Sequence, residues 1–85
     1  MLAKLFLAAK NDDEILEFLR AILTPAEFQK IAERVEIVAE ILSGKSHREI
    51  SKKVGASLAT IGRGSREVQF GSGILQKLFS KINEN

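Results

Sequence analysis

Apolar residues recur at three- and four-residue steps through most of the chain, as in Phe28, Ile31, Val35, Val38, Ile41 and Leu42, and again in Ile74, Leu75, Leu78, Phe79 and Ile82. That period marks helices with one buried face, and no segment shows the sustained alternation that a sheet needs. Capping and breaking residues divide the pattern. Thr24-Pro25-Ala26-Glu27 reads as a capping box, with Thr24 as N-cap, Pro25 where its missing N–H costs nothing, and Glu27 reaching back. The long central helix that follows should stop at Gly44. Upstream, Leu2 to Ala9 and Asp13 to Ala21 make two shorter helices, with Asn11 and Asp12 as turn and cap. Ser46 and Glu49 repeat the capping-box spacing, Ser57 caps another helix, and Gly71-Ser72-Gly73 interrupts the chain before a last one. The expected fold is all-α with six helices.

The stretch from Ser46 to Glu67 has the spacing of a helix-turn-helix, which extends over about residues 46–70. Ile50, Val54, Ala56 and Ile61 are placed to fill the angle between two short helices. Gly55 supplies the left-handed turn, and small Ser51 allows close approach. The second helix would then project outward. It contains Gly62 and Gly64, each costing a helix interior about 1 kcal/mol relative to alanine, so some fraying is expected there.

Charge sharpens this picture. From Lys45 to Arg66 six basic residues meet one acid, Glu49, so the segment carries +5 of a chain whose total is +2. A basic head on an acidic body is the electrostatic footprint of a duplex-DNA binder. A solvated helical hairpin would account for the pattern or the charge alone but poorly for both. Eighty-five residues suggest one domain, residues 1–85, and a size at which a partner subunit would help bury the 45% of apolar residues. The apolar opening, Leu2 to Ala9, falls short of the about 20 residues a bilayer span needs and lacks a convincing cleavage site. No membrane partner is therefore expected, and a cytoplasmic location fits. With no cysteine, a single histidine, no nucleophile-base pair, no metal-ligand spacing and no phosphate-cradling glycine loop, neither catalytic nor metal-binding residues are expected, and an enzyme is a poor reading.

Within the helix-turn-helix, Leu58, Ala59 and Thr60 fall in the first turn of the outer helix, where side chains reach base edges. The first two suit thymine methyl groups and Thr60 a hydrogen bond. Without an Arg or Asn fork, specificity would lean on water and DNA shape. Arg48, Lys52, Lys53 and Arg66 suit phosphates, setting register and affinity. His47 could face phosphate or simply be solvated.

The segments LTPAEFQKIAERVEIVAEILSGKSHREI and GASLATIGRGS resemble the Trp repressor family over roughly Ala21 to Val68, the short GKSHREI junction being closer to YerC-like relatives. The family appears among well-known helix-turn-helix examples. The resemblance implies an intertwined homodimer that represses transcription from operator DNA, with L-tryptophan as corepressor in the best-known branch. Carried over by position, Arg34 and Arg63 flank the corepressor, Arg63 placed for its carboxylate. Leu23 and Thr24 come from the other subunit, and Val38 and Gly64 form pocket wall. A guanidinium suits both jobs, forking onto a carboxylate or stacking on an indole. Other roles stay open for both arginines, an intrahelical pair with neighbouring acids for Arg34 and a phosphate contact for Arg63. Leu23 and Val38 are expected in the core on any reading. Glu67 stands where the family has a serine that meets the ligand's amino group, which changes pocket size and charge. Gly62 replaces a threonine of the reading helix and Ser51 a lysine of the first. Tryptophan, another amino acid or no ligand thus remain in play, as does a helical protein-interaction module.

Overall fold

A computed structural model describes residues 1–83, so Glu84 and Asn85 lie outside the described residues. Its elements are six helices and, among the described residues, no strand: α1 Leu2–Ala8, α2 Asp12–Ile22, α3 Pro25–Leu42, α4 His47–Val54, α5 Leu58–Phe70 and α6 Ile74–Asn83. The chain forms two compact units, Met1–Ile31 and Ala32–Asn85.

In the first unit, α2 starts one residue earlier than its sequence suggests. The N-cap is Asn11 rather than Asp12, because the Asn11 side-chain oxygen accepts the Glu14 N–H at 3.0 Å. Phe6 of α1 meets Phe18 of α2 edge to face at 5.6 Å, and the Arg20 guanidinium lies 5.1 Å from the ring centre of Phe28 in the first turns of α3. The α3 capping box is complete. Thr24 N–H donates to Glu27 Oε1 at 2.9 Å and Glu27 N–H to the Thr24 hydroxyl at 3.2 Å, and these bonds hold the Glu27 carboxyl below its ordinary range. Leu23 is only half-buried, not a core residue, since it is the extended C-cap of α2. Leu2, Leu7 and Ile22 remain largely exposed.

The second unit holds the core. Ile50 and Ile61 are fully buried, Ile37 is 2% exposed, and Ala56 completes the cluster, with Ile41 and Val54 packed against it. The α3 stripe read from the sequence holds at Val38 and Ile41 but not throughout. Ile37, which it omits, is the deepest α3 side chain, whereas Val35 is 53% exposed and Ile31 also faces solvent. The helix leaves through a Schellman motif: Gly44 takes φ +87, its N–H donates to Ile41 O at 3.0 Å, and Lys45 N–H reaches Glu40 O at 3.3 Å. On α6, Ile74 N–H donates to the Ser72 hydroxyl at 3.3 Å, and Gln76 Nε2 donates to Val68 O at 2.6 Å, tying that helix to the end of α5. Ile74, Leu78 and Ile82 share an exposed face of α6.

Candidate nucleic-acid interface

The helix-turn-helix is built from short local devices. Ser46 caps α4 by accepting the Glu49 N–H at 3.2 Å, but the reciprocal half of that capping box is missing. The Glu49 carboxylate accepts the Ser46 hydroxyl at 3.1 Å instead of the backbone N–H. At the turn Gly55 adopts φ +80, a conformation strained for any L side chain, and its N–H donates to Ser51 O at 2.9 Å. The Ser51 hydroxyl then donates to Ala56 O at 2.8 Å, fastening the turn from within. Ser51 is thus more than a small residue, a role sequence spacing alone missed. Ser57 caps α5 through the Thr60 N–H at 3.2 Å, and its hydroxyl lies 2.9 Å from the Thr60 hydroxyl.

These devices leave one outward face. Leu58 and Ala59 are exposed in the first turn of α5, while Thr60 is half-buried with its hydroxyl already engaged by Ser57. His47, Arg48 and Lys52 on α4 and Arg63 and Arg66 on α5 are exposed. Among the described residues, the ion pairs join only Lys45 and Lys53 to Glu36 and Glu40, so the other cations of this face have no carboxylate within 4.0 Å. Arg34 is exposed and likewise has no such carboxylate partner there, so the intrahelical pair open to it in the sequence is not formed.

Lys53, expected from the sequence to meet phosphate, is exposed as well, but it also carries an ion pair within the chain. Its ammonium lies 2.6 Å from Glu40 Oε1, and that of Lys45 lies 2.6 Å from Glu40 Oε2. Glu40 is only 8% exposed. The two ammonium groups, Lys45 foremost, outweigh burial and hold its carboxyl at about 2, while Glu40 in turn raises Lys53. Sequence reading missed Glu40. The available signal was an acid in the last turn of α3, where the helix dipole disfavours it unless a cation stands near. Because its folded value lies below the ordinary 4.5, the stabilisation from Glu40 is fully present above about pH 5 and lost as pH falls through about 2. A circular-dichroism acid titration should show that loss, and Glu40→Gln should remove the part of it falling between those limits.

Of the residues placed by family resemblance, Val38 is buried, Arg63 exposed, and Thr24 an exposed N-cap. Gly64 lies where α5 crosses α3, since a Cβ there would sit 3.3 Å from Ile37 Cγ2 and 3.5 Å from Ile41 Cδ1. Gly62 faces nothing within 4 Å. In the structure α5 runs unbroken through both glycines, capped by Ser57 and packed on α3 at Gly64. Glu67 is exposed, with Oε1 turned toward Gly71, where an added Cβ would lie 2.8 Å from it. Gly62→Ala should raise the thermal midpoint by an amount equivalent to about 0.5–1 kcal/mol, and Gly64→Ala should give no gain because its methyl crowds Ile37. Equal gains from both in a melting curve would mean that α5 does not approach α3 at Gly64.

The family model for the Trp repressor protein matches residues 1–83. The chain belongs to the Trp repressor family. Its similarity to individual members varies in depth and reach. A Trp operon repressor homolog of Vibrio vulnificus is 42% identical over 64 residues, covering 74% of this chain and 60% of that protein. One of Xylella fastidiosa is 33% identical, covering 81% and 76%. The uncharacterized protein YerC of Bacillus subtilis is 28% identical over 78 residues, covering 92% and 75%. The chain thus spans less than two thirds of the Vibrio relative's length. Among solved structures, a TrpR-like protein from Eubacterium eligens superposes with a TM-score of 0.90 at 27% identity, covering 96% of this chain and 84% of that one. Trp repressor family members are regulators, not enzymes. Among the described residues of this one, no helix is long and apolar enough to cross a membrane.

Proposed function

We propose that the whole chain acts as one domain, a homodimeric transcriptional repressor that binds duplex operator DNA in the cytoplasm. The observation that carries this reading is the helix-turn-helix itself: a closed apolar angle behind, and in front a face of exposed Arg48, Lys52 and Arg66 beside Leu58 and Ala59. The first turn of α5 would enter the major groove with Leu58, Ala59 and Thr60, and Gly62 would let the DNA approach closely. Arg48, Lys52, Arg66 and His47 would lie along phosphates. The exposed apolar residues of α1, α2 and α6 support a second copy as the missing cover. Two heads would then sit about 34–36 Å apart, one helical turn of a pseudo-palindromic operator.

Control by a small amino acid belongs to the same reading. Arg63 would pair with its carboxylate, and Arg34, Val38 and Gly64, with Leu23 and Thr24 of the second copy, would surround its side chain. Glu67 would accept from its ammonium group. L-tryptophan is the first candidate, on the strength of the relatives' name. Operator selection followed by titration with and without L-tryptophan tests both halves. Tighter binding with ligand is expected to be lost in Arg63→Ala, and operator must strengthen ligand binding by the same factor. Equal operator affinities up to millimolar tryptophan remove that corepressor and leave the DNA-binding reading standing.

A further inference from the structure

Resting on that reading, we infer that Glu40 is a positioning residue of the DNA-binding head, which latches α3 to both ends of α4 and in doing so withholds Lys45 and Lys53 from phosphate. Lys45 lies between the end of α3 and the start of α4, and Lys53 lies in the last turn of α4. One carboxylate therefore grips the helix at both limits. Its two oxygens are divided between them, Oε1 to Lys53 and Oε2 to Lys45, each at 2.6 Å. Oε2 is buried and accepts no well-aligned hydrogen bond, so the Lys45 charge is its only compensation. Both lysine side chains are partly exposed, but drawing either ammonium off Glu40 onto a phosphate would leave one oxygen of a nearly buried carboxylate uncompensated, a costly arrangement.

The charge balance points the same way. Glu36 lies 4.0 Å from the Lys53 ammonium, so Lys45 and Lys53 stand against two carboxylates and the group is neutral. A neutral group has little to displace from the counterion atmosphere of DNA, and the salt-dependent part of affinity falls to cations without such partners. The Glu40 backbone is held too, its carbonyl accepting from the Ser43 hydroxyl at 2.9 Å and from Lys45 N–H at 3.3 Å. With its carboxyl at about 2, the latch stays ionised throughout the neutral range.

Measuring log Kd against log salt on the selected operator separates this latch from a simple phosphate contact. Lys52→Ala should flatten the slope by up to about 0.9 per subunit. Lys53→Ala should leave the slope unchanged while lowering the thermal midpoint. Glu40→Gln should steepen the slope by freeing the lysines, and the steepening should shrink in Glu40→Gln/Lys53→Ala. If Glu40→Gln does not fold, Lys53→Ala still decides. A slope flattened by Lys53→Ala as much as by Lys52→Ala overturns the inference while DNA binding stands. Wild-type protein that binds no duplex at any salt overturns the DNA-binding reading, and the inference with it.

Discussion

Alanine in place of Ile61 is expected to destabilise the head by about 2–5 kcal/mol, a large share of what a small domain possesses. Ile61 is fully buried, and its cluster with Ile37, Ile50 and Ala56 is the only one that binds α3, α4 and α5 together among the described residues. Removing three heavy atoms loses their transfer from water and leaves a cavity that helices already pinned by Gly64 and the Ser51 bond cannot collapse to fill. Urea unfolding followed by circular dichroism checks the value. Leu58→Ala, one turn earlier on the same helix but more than half exposed, should change stability by less than about 0.5 kcal/mol. Similar midpoints for the two variants would contradict the placement of the core.

The second large effect concerns DNA. Replacing Arg48, Lys52 and Arg66 together by alanine should weaken operator and unrelated duplexes alike. It should flatten the salt slope by up to about 5, for about six phosphate contacts in a two-subunit complex. All three side chains are exposed and have no carboxylate partner in the described chain, so the substitution removes long-range attraction while leaving the apolar cluster intact. Filter binding across a salt series, with the thermal midpoint as the control for folding, gives the answer. Retention of the wild-type slope would place the phosphates on another face.

The sequence made most of the head legible because its determinants are local. Ser46, Ser57 and Thr24 cap where their spacing says, and Gly44 and Gly55 turn left-handed where the periodicity ends. Ile50, Ala56 and Ile61 are buried as their positions in the motif require. What escaped depends on partners distant in sequence. Ile37 outranks Val35 because α5 presses on that side of α3 at Gly64, which no stripe on one helix can reveal. Lys53 pairs with Glu40, thirteen residues earlier, and a charge count over one segment cannot see a counterion in another. Asn11 took the α2 cap from Asp12 because both suit the position and only hydrogen-bond geometry separates them. The residues proposed to face a ligand rest on family position alone, since periodicity has nothing to say about a pocket.

The side chains that close the buried cluster, from Ile37 to Ile61, come from three consecutive helices and, for Ala56, from the short turn between the last two. The turns between these helices are short, so closing the cluster costs little loop entropy beyond forming the helices themselves. In kinetic terms this cluster closes within one chain, whereas the proposed pairing of two copies through exposed apolar helices would be a bimolecular event. On that reading the rate of assembly would rise with protein concentration while closure of the cluster would not.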